Sequence, residues 1–229
     1  GFAQLLERNG QIDDRQRQYI HSIRRGGEQL LGLINDVLEL AKIEANRFEL
    51  FPVAWDSAEL LQELAGLFRG RAEQKGLHFH MELSTPVPRT LSCDVKFLRQ
   101  ILVNLLDNAI KFTERGSVTL RLGFVDNTVL LEVADTGVGI PPAQIDAIFE
   151  PFRQAGDPTS RALGVGLGLA ISRELATRMG GTLTVASTPG QGSTFEARIP
   201  AQVVLPAVPA EAKEPSVTAN DASHAGEAL

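Results

Sequence analysis

Apolar positions recur at helical spacing near the start of the chain. Between Ile20 and Ala41, seven apolar or small residues follow one another in steps of 3, 4, 3, 4, 3 and 4 residues. This repeat places them in one stripe along an α-helix. Leu31 and Leu38 widen the stripe, which favours a helix in a bundle over a two-stranded coiled coil.

A turn is predicted just before this helix. Asn9-Gly10 and the pair Asp13-Asp14 are residues typical of turns and of helix N-caps. The residues before Asn9 have the character of the end of an earlier helix. Residues 1–47 are therefore predicted to form an antiparallel helical hairpin whose first helix is truncated.

The hydrophobic pattern changes after residue 48. Helices are predicted over about 56–75, 94–112 and 166–179, and strands over 78–83, 118–125, 128–133, 182–186 and 193–199. The last four strands form two hairpins, which turn at Asp126-Asn127 and at Pro189-Gly190. Helices interleaved with a mostly antiparallel sheet predict an α+β fold for residues 48–200, namely a two-layer α/β sandwich.

Composition limits the remaining possibilities. Residues 201–229 are rich in Ala, Pro, Glu and Ser, which predicts a disordered linker or tail. The net charge of −6 gives no support to nucleic-acid binding. The single cysteine, Cys93, permits no internal disulfide, and the four histidines are too dispersed for a zinc site. No apolar run in the sequence approaches the roughly 20 residues of a membrane span.

One predicted helix carries a polar face suited to a nucleotide with a bound metal ion. Asn104, Asn108 and Lys111 are spaced 4 and 3 residues apart, so they share one side of the helix. An amide oxygen can ligate magnesium, and an ammonium group can neutralise phosphate. A solvated polar face has the same spacing and remains the plainer interpretation of this segment alone.

Three further segments contain glycines or hydroxyls. Asp135 closes a hydrophobic strand and could accept a hydrogen bond from an exocyclic amine, although a strand-exit turn is the plainer alternative. Residues 164–169, GVGLGL, open a helix, where bare N–H groups can bind an anion. They depart from the dinucleotide fingerprint because Leu169 stands at its third glycine. Thr194 follows Gly192-Ser193 on the last strand, where its hydroxyl could contact a ligand.

Together and in this order, these segments resemble the N, G1, G2 and G3 boxes of the histidine-kinase ATP-binding domain. That domain belongs to the GHKL superfamily, shared with the gyrase B subunit, the heat-shock chaperone ATPase and the mismatch-repair ATPase. Residues 148–154, IFEPFRQ, are similar to the F box, and residues 30–44 are similar to the second helix of the dimerisation and phosphoacceptor domain. The resemblance covers about residues 1–200.

The resemblance implies roles for individual residues. Asp135 would accept the adenine amino group with help from Thr194, Asn108 would ligate Mg²⁺, and Asn104 and Lys111 would contact the phosphates of ATP. The other nucleotide-binding positions that it implies are Gly137, Gly139, Ile140, Phe149, Phe152, Arg153, Gly164, Gly166, Leu167 and Gly168.

The resemblance also implies how the site would act. Residues 154–163 would form a mobile lid that Phe149 and Phe152 anchor on the core, and Arg153 would reach the γ-phosphate. Asn104, Lys111 and Arg153 would be the catalytic groups. In the ATPase relatives, the position of Asn104 holds a glutamate that activates water, whereas an amide is a poor base. The site is therefore expected to hold ATP for phosphoryl transfer rather than for hydrolysis.

The phosphoacceptor box of the family is absent from this sequence. His21 falls on the second predicted helix and lacks the adjoining acid and the proline of that box, so a surface or structural role is expected for it. Either the given chain begins after the box, which is the favoured interpretation, or the natural protein lacks it.

The leading hypothesis is the ATP-binding catalytic core of a two-component sensor histidine kinase of the hybrid type. It would transfer the γ-phosphoryl group to a histidine outside this chain, for relay to an aspartate of a response-regulator receiver domain. The implied partners are ATP or ADP, Mg²⁺, a second copy joined through the helical hairpin and the receiver domain. The expected location is the cytoplasm, with the parent protein either soluble or anchored in the inner membrane.

The alternatives are a non-catalytic regulatory module that pairs with another histidine kinase, and a gyrase- or chaperone-type ATPase, which Asn104 disfavours.

Overall fold

The computed structural model describes residues 13–44, 49–153 and 166–205. Its helices are α1 (Asp14–Glu44), α2 (Ser57–Gln74), α3 (Val95–Phe112) and α4 (Gly168–Arg178). Its strands are β1 (Val53–Asp56), β2 (His78–Leu83), β3 (Thr90–Cys93), β4 (Ser117–Val125), β5 (Thr128–Asp135), β6 (Thr182–Thr188), β7 (Gly192–Pro200) and β8 (Gln202–Val203). Two short 3-10 turns, Pro142–Gln144 and Ala147–Phe149, lie between β5 and α4.

A five-stranded sheet forms one layer, in the order β2-β4-β5-β7-β6. Only the β2–β4 pair in it is parallel. Alternate residues of β5, among them Leu131 and Val133, are fully buried, and they belong to one core with apolar residues of α2, α3 and α4. Successive side chains of a strand point to opposite faces of the sheet, so this alternation gives one face covered by the helices and one polar face. The predicted two-layer α/β sandwich is confirmed.

The helices and the two β-hairpins predicted for residues 48–200 are present. Asp56 and Asp94 cap α2 and α3 by accepting hydrogen bonds from backbone N–H groups of the first turn. In the β4–β5 turn, Asp126 and Asn127 have φ values of 49° and 55°. A two-residue hairpin turn of type I′ requires this left-handed conformation at both residues, and Asn and Asp tolerate it better than most residues.

A second, three-stranded sheet in the order β1-β3-β8 was not predicted. Its strands are only two to four residues long, too short to leave a clear alternating pattern. It also corrects the start of the predicted tail, because Ala201 is only 4% exposed and Val203 pairs with Leu91 of β3. Residues 206–229 of that predicted tail lie outside the described residues.

Helix α1 begins with a reciprocal cap. The Gln16 N–H donates to Asp13 Oδ1 at 2.7 Å, and the Asp13 N–H donates to Gln16 Oε1 at 3.1 Å. Helix α1 packs on α4, and Ile20 in its second turn is buried. Most of the described remainder of the apolar stripe is exposed, namely Ile23, Leu30, Leu31, Ile34, Val37 and Leu38. The predicted first helix of the hairpin lies outside the described residues.

Candidate nucleotide-binding site

Helix α3 holds the first group of predicted site residues. Its apolar residues pack into the core, and Asn104, Asn108 and Lys111 emerge together as partly buried side chains. The prediction that these three residues share one face of the helix is therefore confirmed. Within the described part of the chain, no group of three or more His, Cys, Asp or Glu side chains could hold a metal ion.

Asn104 joins α3 to the beginning of α4. Its Nδ2 donates to Oγ of Ser172 at 2.8 Å, and Ser172 is only 1% exposed. At Gly168, the first residue of α4, a Cβ atom would lie 2.2 Å from Asn104 Oδ1. The amide therefore occupies the space that any larger residue at this helix start would need. Two predicted site residues, Asn104 and Gly168, are therefore neighbours in the structure. Ser172, which also contacts Asn104, was not predicted.

The C-terminal turn of α3 is capped from two directions. Lys75, which follows α2, donates through Nζ to Ile110 O at 2.6 Å and to Lys111 O at 2.7 Å. The Val138 N–H donates to Phe112 O at 3.4 Å. Together these contacts satisfy carbonyl groups that have no partner within the helix. Burial lowers the pKa of the Lys111 ammonium group, whose Nζ lies 4.6 Å from the Phe112 ring.

Asp135 is held at the exit of β5 by its own loop. Its Oδ1 accepts a hydrogen bond from the Gly137 N–H at 2.8 Å. Burial raises the pKa of the Asp135 carboxyl group, and hydrogen bonds from the backbone of Gly137 and Ser193 partly offset that rise. At Gly137 a Cβ atom would lie 2.5 Å from Phe112 O, so only glycine allows the loop to approach α3 this closely.

The strand register corrects one predicted residue. Asp135 is paired with Ser193 across β5 and β7, whereas Thr194 is paired with Ala134. Directly paired residues point to the same face of a sheet, and successive residues point to opposite faces. Ser193 therefore shares the face of Asp135 and is 7% exposed, while Thr194 lies on the other face. The prediction that Thr194 assists Asp135 is wrong, because a shift of one residue along a strand reverses the face.

A second serine ties the loop after Asp135 to the β6–β7 hairpin. Ser187 Oγ accepts from the Ile140 N–H at 2.8 Å, donates to Gly192 O at 2.8 Å and lies 3.0 Å from Ser193 Oγ. Gly139 has φ +67°, and a Cβ atom there would lie 2.1 Å from the backbone oxygen of Thr188. Ser187 was not predicted, although its place opposite Ser193 follows once the hairpin register is known.

The F-box residues behave differently from one another. Phe149 packs on the core, with its ring edge-on to Phe195 at 6.5 Å and the Arg173 guanidinium 5.0 Å from its centre. Phe152 is 63% exposed, so the prediction that it anchors a lid on the core is wrong. Its φ of 64° lies within the turn that the hydrogen bond from the Arg153 N–H to Glu150 O closes, and its own N–H donates to Gly166 O at 3.0 Å. At this position the backbone N–H, rather than the aromatic ring, makes the contact with the rest of the domain.

Arg153 and Gly166, the nearest described residues on either side of the predicted lid, lie against each other. Gly166 has φ +76°, and a Cβ atom there would lie 2.4 Å from Arg153 O. The Arg153 side chain pairs with Glu150 at 3.1 Å and is largely exposed. Leu167 is buried, so only its backbone is available to a ligand. Gly164 and residues 154–163 lie outside the described residues, and their roles stay predictions.

Two family models match the chain. The "His Kinase A (phospho-acceptor) domain" matches residues 1–46, and the "Histidine kinase-, DNA gyrase B-, and HSP90-like ATPase" matches residues 93–203. The chain belongs to the sensor histidine kinases. Its residues 93–203 contain all the described site residues except Lys75, and a GHKL-type catalytic domain is thereby confirmed.

Other sensor histidine kinases are similar over most of this chain. The histidine protein kinase DivJ of Caulobacter vibrioides is 38% identical over 203 residues, which are 87% of this chain and 34% of DivJ. The aerobic respiration control sensor protein ArcB of Escherichia coli is 38% identical over 207 residues, 89% of this chain and 26% of ArcB. The chain therefore spans about a quarter to a third of the length of these relatives. Full-length ShkA, crystallised with AMPPNP, is 40% identical with a TM-score of 0.75, over 89% of this chain and 42% of that one.

Proposed function

We propose that this chain is the ATP-binding catalytic core of a two-component sensor histidine kinase of the hybrid type. It transfers the γ-phosphoryl group of ATP to a histidine outside the chain, for relay to an aspartate of a receiver domain. One observation carries the proposal, namely an unbroken series of contacts between the predicted motifs. Asp135 is bonded to Gly137, Gly137 lies against the C-terminus of α3, and Asn104 of α3 lies against the start of α4.

Adenine recognition falls to the end of the site at β5. The Asp135 carboxylate can accept a hydrogen bond from the exocyclic amino group, and Gly137 already fixes its orientation. Ser193 adds a hydroxyl on the same face of the sheet. A carboxylate held in place before the ligand arrives loses little side-chain entropy on binding.

The phosphates fall to α3 and α4. Asn108 would hold Mg²⁺ through its amide oxygen, and when bound the ion would neutralise phosphate charge and align the phosphates for transfer. Lys111 and Asn104 bind the phosphates from the same helix face. The backbone at the start of α4 faces them without a side-chain cap of its own. Arg153 is the group proposed to reach the γ-phosphate.

The site favours transfer over hydrolysis. An amide has no basic lone pair available at neutral pH, so Asn104 cannot take a proton from water as a glutamate would. Its Nδ2 is further committed to Ser172. The nucleophile is then the acceptor imidazole, and the chain contributes positioning and charge neutralisation.

Pairing with a second copy through α1 is part of the proposal. The exposed residues of the apolar stripe gain a burial partner if two copies associate along this helix.

None of the helices within residues 13–44, 49–153 and 166–205 is long and apolar enough to cross a membrane. We place this core in the cytoplasm, where ATP and a receiver domain are both present.

The test combines nucleotide binding with phosphoryl transfer. The chain is titrated calorimetrically with ADP and with a non-hydrolysable ATP analogue, with and without Mg²⁺. It is then incubated with ATP and a separately supplied phosphoacceptor domain. Magnesium-dependent binding followed by transfer supports the proposal. Binding without transfer would favour the non-catalytic module that pairs with another kinase, and rapid ATP turnover without an acceptor would favour the ATPase alternative.

A further inference from the structure

The C-terminus of α3 is capped by a charged group from outside the helix. Lys75 Nζ donates to two successive carbonyl groups, Ile110 O and Lys111 O, at 2.6 and 2.7 Å. The last four carbonyl groups of a helix have no N–H partner within it. One ammonium group therefore serves two of them, and it brings a full positive charge to this end.

The position of this charge matters because the C-terminal end of a helix is electrically negative. The aligned peptide dipoles leave the equivalent of about half a negative charge there. Lys111, the proposed phosphate contact, lies in this last turn, and Asn108 lies one turn earlier. Without a counter-charge, the helix end would repel the triphosphate that these two residues are proposed to bind.

We propose that Lys75 is a positioning residue for the triphosphate, neutralising the C-terminal end of α3 and so favouring nucleotides in proportion to their phosphate charge. The inference rests on the proposed nucleotide-binding function. Lys75 needs no contact with the nucleotide, because it acts through the carbonyl groups of Ile110 and Lys111. It also holds the turn on which the loop after Asp135 rests, since the next carbonyl, Phe112 O, accepts from Val138.

The experiment compares adenine ligands that carry different numbers of phosphates. The dissociation constants of adenosine, ADP and a non-hydrolysable ATP analogue are measured by calorimetry for the whole chain and for Lys75→Met. We expect the ATP analogue to bind about two- to fivefold more weakly, the usual range for one cation at a helix C-terminus. ADP should lose less, and adenosine should change by less than about twofold on the same ground. Lys75→Arg, which keeps the charge, should restore most of the ATP affinity.

Two controls separate this electrostatic role from others. Lys96→Met removes the same charge near the opposite end of α3, where Nζ lies 5.4 Å from the Phe97 ring, and it should produce no graded loss. Lys75→Gln keeps a hydrogen-bond donor without the charge, so it provides the comparison if Lys75→Met does not fold. It should show the same graded loss.

The outcomes are distinct. An equal loss for all three ligands would show a purely structural cap and would overturn the role of Lys75 alone. A graded loss of the same size in Lys96→Met would attribute the effect to net charge and would also overturn it. Failure of the folded wild-type chain to bind any of the three ligands would refute the proposed function together with this inference.

Discussion

Asp135 and Ser193 face each other across β5 and β7, and their side chains lie on the same face of the sheet. The carboxylate is fixed by Gly137, and the Ser193 hydroxyl is linked through Ser187 to the loop at Ile140. The proposed adenine end of the site is thus built from β5, β7 and the loop that follows Asp135. The pairing also predicts that the Ser193 hydroxyl, rather than that of Thr194, contacts the nucleotide.

Replacing each of the two neighbouring hydroxyls tests that claim. Ser193→Ala should weaken ADP binding by about 0.5–1.5 kcal/mol, the net value of one hydrogen bond, or roughly two- to tenfold. Thr194→Ala should leave the dissociation constant unchanged, because Thr194 lies on the other face. Calorimetric titration of both variants decides the matter, and a loss confined to Thr194→Ala would reverse the assignment.

Asp135→Asn should weaken nucleotide binding more strongly. The substitution replaces a charge-assisted hydrogen bond to the amino group by an amide of nearly the same shape. The expected loss is about 1.5–3 kcal/mol, or roughly 10- to 150-fold in affinity. The measurement is the dissociation constant of ADP at neutral pH, with unchanged circular dichroism as the control. An unaltered constant would contradict the adenine assignment.

The same carboxyl group should cost the unliganded protein stability at neutral pH. Burial raises its pKa above the ordinary aspartate value of 3.8, so the folded state prefers the neutral form. A raised carboxyl pKa contributes stability that is present below the unfolded-state pKa and is lost as pH rises through the folded-state value. Asp135→Asn should therefore raise the midpoint of thermal unfolding at pH 7, and the gain should shrink as pH falls toward 4. A gain that stays constant with pH would show that ionisation of Asp135 is not its cause.

Local sequence features specified most of the fold but not every site residue. The hairpin at Asp126-Asn127 and the starts of α2 and α3 depend on nearby residues, and the sequence predicts both. The choice of Ser193 over Thr194 depends on pairing with a distant strand, which residue types do not encode. The exposure of the Phe152 ring accompanies a left-handed backbone conformation at that residue. An aromatic residue type predicts burial instead, so the sequence does not indicate this exposure.

The bond between Asn104 and Ser172 should appear as an energetic coupling. Ser172→Ala removes the acceptor for Asn104 Nδ2 and leaves a partly buried amide with an unpaired donor. A double-mutant cycle of Ser172→Ala and Asn104→Ala, followed by denaturant unfolding, should give a coupling energy of about 0.5–1.5 kcal/mol. Ser172→Ala should also slow phosphoryl transfer more than it weakens ADP binding, since the freed amide can rotate. Additive free energies would show that the two residues do not cooperate.

Two helical glycines should respond in opposite ways to alanine. Gly66 in α2 is exposed, and a Cβ atom there would meet nothing within 4 Å. Gly66→Ala should therefore stabilise the chain by up to about 1 kcal/mol through helix propensity. Gly168→Ala, at the first residue of α4, places Cβ 2.2 Å from Asn104 Oδ1, so the amide must leave its position. It should lower nucleotide affinity and phosphoryl transfer even where thermal unfolding shows a folded protein. If Gly168→Ala binds ADP and the ATP analogue as the wild type does, the contact between Asn104 and the start of α4 has no role in holding the phosphates.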